Sequence, residues 1–186
     1  MTGRAAIGGE HKARGIRLLA LDVDVDVDVD VDGILTDGLI YYGNTDEELK
    51  AFNIRDGLGI KLLQQADVKV AIITGRQSEL VARRAGELGI TAVMQGREDK
   101  RQALLELCQN EQMAIEDCAY MGDDLPDLGA VSSAGHGMTA ADGNLEVRDK
   151  ADWISSFNGG YGAVREACEF ILHAKGEWAK LEATFS

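Results

Sequence analysis

Short apolar stretches that favour β-strands alternate with helical stretches along most of this 186-residue chain. The strand candidates are residues 16–21, 68–73, 91–94, 118–121, 136–138 and 153–154, and the helical patterns between them cover residues 57–65, 78–88, 99–108, 125–131 and 161–175. Alternation at these lengths is typical of a parallel sheet covered by helices on both faces. We therefore expect an α/β, Rossmann-like fold whose strands all end at one edge, where such sheets bind ligands.

One segment interrupts the alternation. Residues 39–42 and 48–53 flank the polar sequence Gly43-Asn44-Thr45-Asp46, which predicts a small β-hairpin flap at about residues 38–53. No linker rich in proline or serine divides the chain, so we expect a single domain over residues 16–186. Residues 1–15 are polar and rich in glycine, and they are expected to form a flexible N-terminal tail.

Composition narrows the class of protein. The formal net charge of -13 argues against nucleic acid or an anionic membrane surface as a partner. Cys108, Cys118 and Cys168 are odd in number and form no Cys-x-x-Cys pair, so reduced core thiols in a reducing compartment are expected. No stretch has the length and apolarity of a membrane span or a signal peptide, and we expect a cytoplasmic protein.

The region after the first strand candidate carries an unusual repeat. Asp and Val alternate from Asp22 to Asp32, and the repeat runs directly into Gly33-Ile34-Leu35-Thr36-Asp37-Gly38. Residues two apart on an extended segment point to the same side, so an Asp-Val-Asp unit presents a pair of carboxylates. One carboxylate can attack an electrophile while the other transfers a proton, and both can share a cation.

The repeat offers several such pairs, and a single active site needs one. We predict that Asp30 and Asp32 are used, because the glycine turn follows them directly. In that case the other aspartates replace apolar residues of the central strand, where unpaired buried carboxylates are costly. If residues 16–21 keep that strand, Asp22 and Asp24 enter the site and the rest of the repeat loops out before Gly33. In a repeat of period two, every register places the Asp residues on one face of the strand and the Val residues on the other. The sequence therefore leaves both possibilities open.

Further polar residues follow the other strand candidates. Thr74 follows residues 68–73, Lys100 opens the helix after the third strand candidate, and Asp123, Asp124 and Asp127 follow residues 118–121. At one sheet edge they supply a hydroxyl, an ammonium group and more carboxylates. Such a set suits phosphoryl transfer, in which positioning and charge neutralisation lower the barrier. Mg²⁺ is the natural cation for a site built from oxygen ligands.

Four pieces of this chain together resemble the motifs of the haloacid dehalogenase superfamily of phosphatases: Asp30-Val31-Asp32-Gly33, Thr74, Lys100 and Gly122-Asp123-Asp124. More narrowly, residues 35–38, 52–57, 73–76 and 162–166 resemble the family of 3-deoxy-D-manno-octulosonate 8-phosphate phosphatases. This resemblance implies a magnesium-dependent hydrolase of lipopolysaccharide biosynthesis, a hairpin in place of a cap domain, and a homotetramer. Two alternatives stay open: a phosphatase for a related sugar phosphate such as sialic acid 9-phosphate, and a catalytically impaired relative that serves as an assembly module.

The resemblance also implies roles for individual residues. Asp30 attacks phosphorus to form an aspartyl phosphate and binds Mg²⁺, together with Asp123 and the backbone carbonyl of Asp32. Asp32 protonates the leaving sugar oxygen and then activates water, while Thr74 and Lys100 bind the phosphoryl group. Asp124 and Asp127 are expected to stay out of direct contact with the metal or to orient its ligands. The remaining substrate contacts implied are Asn53, Arg55, Asp56, Gly57, Lys61, Arg76 and Arg84.

Overall fold

The computed structural model describes residues 7–23, 33–39, 41–42 and 48–186. Its strands are β1 (Leu18–Asp22), β2 (Tyr41–Tyr42), β3 (Glu48–Leu49), β4 (Lys69–Ile73), β5 (Ala92–Met94), β6 (Cys118–Met121), β7 (His136–Thr139) and β8 (Trp153–Ile154). Six of them form one parallel sheet in the order β5-β4-β1-β6-β7-β8, and β2 pairs with β3 in an antiparallel hairpin. The predicted α/β fold with a parallel sheet is confirmed, and β1 lies in its centre.

Helices cover both faces of this sheet. They are α1 (Ile7–Arg14), α2 (Ile54–Gln65), α3 (Glu79–Leu88), α4 (Lys100–Asn110), α5 (Leu128–Ser133), α6 (Leu145–Lys150), α7 (Ala163–Lys175) and α8 (Trp178–Glu182). Leu19 and Leu21 of β1 pack into a core with α2, α3 and α7, while Leu18 and Ala20 pack into a second core with α4, α5 and α6. Successive strand residues point to opposite faces, so an unbroken apolar run is what a strand buried on both faces requires.

Side chains cap the helices that begin at the carboxyl edge of the sheet. Asn53, Ser78 and Asp99 accept hydrogen bonds from backbone N–H groups in the first turns of α2, α3 and α4. These bonds satisfy N–H groups that have no partner within the helix. The Asp99 cap fixes the start of α4 and thereby places Lys100 at the edge where the strands end.

The N-terminal region differs from the flexible tail predicted for residues 1–15. Residues Ile7–Arg14 form helix α1, which packs against α7, and Ala13 is fully buried. Lys12 Nζ donates a hydrogen bond to Asp152 Oδ1 (2.9 Å) and ties α1 to the body of the domain. The glycines of this segment suggested a loop, but contacts with α7 outweigh their low helix propensity. None of the helices in the described ranges has the length and apolar character needed to cross a membrane.

Candidate active site

A buried ion pair lies at the carboxyl end of the central strand. Asp22, the last residue of β1, accepts a hydrogen bond from Lys100 Nζ at 2.6 Å, and both side chains are at most 3% exposed. A buried charge is tolerated when it is paired and hydrogen-bonded, as these two groups are. The pair joins the first strand to the start of α4, so a strand-end carboxylate and an ammonium group meet as the sequence predicted.

Asp127 organises the loop that follows β6. Its Oδ1 accepts hydrogen bonds from Tyr120 Oη (2.6 Å) and Lys100 Nζ (3.3 Å), and its Oδ2 accepts from the backbone N–H groups of Asp123 (3.1 Å) and Asp124 (3.3 Å). Both carboxylate oxygens are therefore engaged by protein donors. This arrangement supports an orienting role for Asp127 rather than direct binding of a metal.

Asp123 offers an unpartnered acceptor to the site. Its buried Oδ1 has no hydrogen-bond partner among the described residues. Burial, together with the negative charges of Asp127 and Asp124, raises the pKa of Asp123 to about 8. Asp22, Asp123 and Asp127 each offer an oxygen within 4.8 Å of the others. Three carboxylates beside one lysine leave a negative excess that a divalent cation would compensate, and the unpartnered oxygen of Asp123 suits such a cation.

Gly33 packs against the carboxylate of Asp123 in this cluster. A Cβ atom at Gly33 would lie 1.8 Å from Asp123 Oδ2, so only glycine fits there without moving the carboxylate. Gly159 packs equally closely, because a Cβ on it would lie 1.3 Å from the Gly33 carbonyl oxygen. The Gly160 N–H donates to the Ile34 carbonyl at 2.9 Å and holds the two segments together. The Gly159-Gly160 dipeptide is a recognisable turn signal, yet its contact with residues 33–34 could not be found from sequence.

Thr74 lies beside Asp22 through the pairing of the strands. Ile73 of β4 pairs with Asp22 of β1, and Thr74 is the next residue and is buried. Its Oγ1 accepts a hydrogen bond from the Arg76 N–H at 3.2 Å, which forms the turn after the strand. Thr74, Lys100 and Asp123 thus all meet at the predicted edge, next to Asp22.

The aspartate at the end of β1 is Asp22, which was the alternative to the favoured Asp30 in the sequence prediction. The sequence favours Asp30 and Asp32, which lie outside the described residues, so their roles stay predictions. The structure has Asp22 beside Lys100, with residues 18–21 completely buried in β1. The physical reason is that Leu18–Leu21 fill both cores, whereas the repeat would bring several carboxylates into the same strand.

Two predicted substrate contacts connect α2 with its neighbours. Asn53 Nδ2 donates to the Gly160 carbonyl at 3.1 Å, in addition to capping α2. Asp56 is fully buried, and its Oδ1 accepts a hydrogen bond from the Arg165 N–H at 2.7 Å, in the first turn of α7. Burial raises the pKa of Asp56 to about 6. Asp56 thus joins α2 to α7, and its contact with substrate stays a prediction.

The predicted cationic contacts are distributed over α2, α3 and the turn after β4. Arg84 lies over the Phe52 ring, with its guanidinium carbon 5.7 Å from the ring centre, and a Cβ on Gly57 would lie 2.6 Å from its Nη2. Gly57 therefore makes room for Arg84 at the start of α2. Arg55 and Lys61 are exposed, and no hydrogen bond or ion pair joins Lys61 to the carboxylate cluster within the described part of the chain.

Asn144, in the loop after β7, makes hydrogen bonds with Asp123 and Asp124. The Asn144 N–H donates to the Asp123 carbonyl at 2.7 Å, and Asn144 Nδ2 donates to Asp124 Oδ1 at 2.9 Å. Sequence reasoning missed Asn144 and Tyr120 as supports of the site. Asn144 also caps α6, and an asparagine at the start of a helix is a pattern that the local sequence can reveal.

Comparison with known proteins agrees with this geometry. Residues 89–167 match the family of haloacid dehalogenase-like hydrolases. The chain is 46% identical over 166 residues to the 3-deoxy-D-manno-octulosonate 8-phosphate phosphatase KdsC of Escherichia coli K12, covering 89% of this chain and 84% of that protein. It is 45% identical over 166 residues to KdsC of Salmonella typhi, with the same coverage.

Solved structures of such phosphatases are also similar to this chain. A crystal structure of 3-deoxy-D-manno-octulosonate 8-phosphate phosphatase from Moraxella catarrhalis, in complex with a magnesium ion, a phosphate ion and a KDO molecule, matches with a TM-score of 0.91 and 45% identity. The match covers 97% of this chain and 99% of that one. The cobalt-bound phosphatase of Haemophilus influenzae matches with a TM-score of 0.81 and 38% identity, over 89% of this chain and 92% of that chain.

Proposed function

Because the chain belongs to the family of 3-deoxy-D-manno-octulosonate 8-phosphate phosphatases, within the haloacid dehalogenase-like hydrolases, we propose that it hydrolyses this sugar acid phosphate. The products are 3-deoxy-D-manno-octulosonate and inorganic phosphate. One observation carries the proposal: Asp22 is ion-paired with Lys100 at the end of the central strand, beside the unpartnered oxygen of Asp123. A carboxylate nucleophile, an ammonium group and a cation ligand at one edge are the parts that phosphoryl transfer requires.

In this proposal Asp22, rather than Asp30, is the nucleophile. Its carboxylate oxygen bonds to phosphorus as the bond from phosphorus to the sugar oxygen breaks, which leaves an aspartyl phosphate. Lys100, which is hydrogen-bonded to Asp22, and the hydroxyl of Thr74, the residue after the strand partner of Asp22, donate hydrogen bonds to the transferring oxygens, where negative charge accumulates. Water then attacks the aspartyl phosphate, releases phosphate and regenerates Asp22.

We propose that one aspartate of the repeat acts as both the general acid and the general base of the reaction. Asp24 stands two residues after Asp22, the spacing that places two carboxylates on the same side of an extended segment. We assign Asp24 to protonate the leaving sugar oxygen and then to take a proton from water. Asp32, which precedes Gly33 directly, is the acid–base residue that the family resemblance implied, and separate Asn variants of Asp24 and Asp32 distinguish the two.

The cofactor in this proposal is Mg²⁺. Asp22 and Asp123 supply its side-chain ligands, since both oxygens of Asp127 are already engaged by protein donors. The backbone carbonyl of the acid–base aspartate is the third protein ligand expected from the family pattern. A bound Mg²⁺ neutralises charge on the transferring phosphoryl oxygens.

Positive and polar groups on α2, on α3 and in the turn after β4 are proposed to select the substrate. We propose that Arg76 and Arg84 pair with its anionic groups, since a sugar acid phosphate carries a carboxylate as well as a phosphate. Asn53, Arg55, Gly57 and Lys61 are proposed as further contacts, on the family pattern. Asp56 is proposed to act with them from the junction of α2 and α7.

The proposal includes assembly into a homotetramer. Leu39, Tyr41, Leu49 and Ile54 on and beside the hairpin are exposed, and Ile54 is 82% exposed. Several exposed apolar side chains on one segment are typical of an interaction surface. A two-stranded hairpin is too short to cover a sugar phosphate, so a neighbouring subunit is proposed to complete the site. We place the enzyme in the cytoplasm, in lipopolysaccharide biosynthesis.

Phosphate release from purified full-length protein tests the function. We expect 3-deoxy-D-manno-octulosonate 8-phosphate to be hydrolysed faster than sialic acid 9-phosphate and other sugar phosphates, and only with Mg²⁺. Faster hydrolysis of another substrate, or full activity in EDTA, would contradict the assignment. A folded protein with no activity on any phosphate would support the assembly-module alternative. Light scattering at the assay concentration should give a tetramer, and an active monomer would refute the proposed assembly.

A further inference from the structure

Two buried thiols that are ten residues apart in sequence meet in the second core. Cys108 lies in the last turn of α4, and Cys118 is the first residue of β6. Their sulfur atoms are 3.2 Å apart, and the two residues are 3% and 0% exposed. Cys168, the third cysteine, is fully buried in the other core, on α7, and is therefore on the opposite side of the sheet. The proposed phosphatase reaction uses none of these thiols.

The segment between Cys108 and Cys118 holds the two sulfurs in this arrangement. The Met113 N–H donates to the Cys108 carbonyl at 2.9 Å, and Ile115–Asp117 form a short 3-10 turn that leads into β6. Cys118 Sγ lies 3.5 Å from the Ala114 carbonyl oxygen. A disulfide has a sulfur–sulfur distance of about 2.05 Å, so the two sulfurs need to approach by only about 1.2 Å.

We propose that Cys108 and Cys118 form a thiol–disulfide modification site, which closes into an intramolecular disulfide when the protein meets hydrogen peroxide. Cys168 does not take part, because its position in the other core separates it from both sulfurs. Crosslinking of residues 108 and 118 joins the end of α4 to the start of β6.

The two thiols have different roles in this reaction. Either sulfur can donate the hydrogen bond between the two thiols; with Cys118 as the donor, this bond lowers the pKa of Cys108 and raises the pKa of Cys118. Cys108 is therefore the thiolate that attacks a peroxide oxygen, and the O–O bond breaks to leave a sulfenic acid and water. The Cys118 sulfur then attacks the Cys108 sulfur, the S–O bond breaks, and a second water leaves. Two thiols lose two electrons and the peroxide gains them.

The crosslink is far from the catalytic edge of the sheet, yet it joins α4, which begins with Lys100, to β6, which leads to Asp123. Cys108 lies eight residues after Lys100 on α4, about 12 Å along the helix. Cys118 lies five residues before Asp123, about 16 Å along an extended chain. The disulfide thus joins the distant ends of the two elements that hold Lys100 and Asp123, and it restricts the unfolded chain.

Peptide mapping of full-length protein treated with hydrogen peroxide tests the proposal. Trypsin leaves both cysteines in one peptide, Gln102–Arg148, which should become lighter by two hydrogen atoms. Additional cleavage after Glu111 and Glu116 should leave fragments that are still joined until a reductant is added. Cys168, in the tryptic peptide Glu166–Lys175, should stay a free thiol.

Matched variants and a stability measurement complete the test. Cys108→Ser and Cys118→Ser should each prevent the crosslink, whereas Cys168→Ser should retain it. The oxidised parent should melt higher than the reduced parent by on the order of 5 °C, and dithiothreitol should reverse the shift. Three free thiols after oxidation, a crosslink through Cys168 or to a second molecule, or a sulfinic acid on Cys108 in place of the disulfide would overturn the proposal. Mapping of the parent decides the matter even if a variant fails to fold.

Discussion

Replacement of Asp22 by Asn should remove the chemistry while keeping the fold. Asn has the same shape and keeps an oxygen that accepts a hydrogen bond from Lys100, which now lies 2.6 Å from Asp22. A neutral amide oxygen cannot act as the nucleophile toward phosphorus. By analogy with removal of other catalytic nucleophiles, we expect kcat to fall by about 10⁵-fold, or roughly 7 kcal/mol of barrier.

The loss of stability should be much smaller. Lys100 keeps Asp127 as a charged partner at 3.3 Å, so the ammonium group is not left alone in the core. A hydrogen bond between charged groups becomes one to a neutral acceptor, and the free energy of unfolding should fall by about 1–2 kcal/mol. Urea unfolding measures this change, and phosphate release with saturating substrate and Mg²⁺ measures kcat.

Asp30→Asn is the matched control, since it makes the same chemical change within the same repeat. It should retain kcat within about twofold, as expected of a residue outside the reaction. Removal of Asp24–Val31 leaves a single Asp22-Val23-Asp32-Gly33 unit, and that protein should be active and at least as stable as the parent. Loss of activity in Asp30→Asn with retention in Asp22→Asn would refute the assignment of the nucleophile.

Three further variants test the surroundings of the site. Gly33→Ala should weaken Mg²⁺ binding, measured by titration of activity, because its Cβ would displace the Asp123 carboxylate; Gly86→Ala, at an open helix position, should leave it unchanged. Tyr120→Phe should lower the free energy of unfolding by about 1–2 kcal/mol and kcat several-fold with KM unchanged, and an unchanged kcat would show that the hydroxyl does not position the site. Burial lowers the pKa of His136 below its usual 6.5, so the unfolded chain takes up this proton first as pH falls. The stabilisation that depends on neutral His136 should therefore be lost below about pH 6.5. On acidification, the free energy of unfolding of the parent, from urea unfolding, should decrease relative to that of His136→Leu.

Much of the fold was predictable because its signals are local. The predicted strands at residues 118–121 and 153–154 coincide with β6 and β8, and the other predicted strands of the large sheet differ from the observed ones by one or two residues at one or both ends. The hairpin also forms as expected, although its strands are only two residues each. Apolar runs bounded by turn residues specify these elements directly, whereas the N-terminal helix depends on contacts with α7 that no local pattern reveals.

In the candidate site, too, some features follow from local sequence patterns and others depend on tertiary contacts. The sequence by itself determined that Thr74, Lys100 and Asp123 lie at the edge where the strands end, since each follows directly from its place after a strand or at the start of a helix. Which aspartate of the repeat lies beside Lys100 was decided only by tertiary structure. Every register of a period-two repeat presents the same local pattern, and burial of Leu18–Leu21 in two cores selects Asp22. Tyr120 with Asp127 and Cys108 with Cys118 likewise became pairs only through packing, because proximity in space is a property of the folded chain.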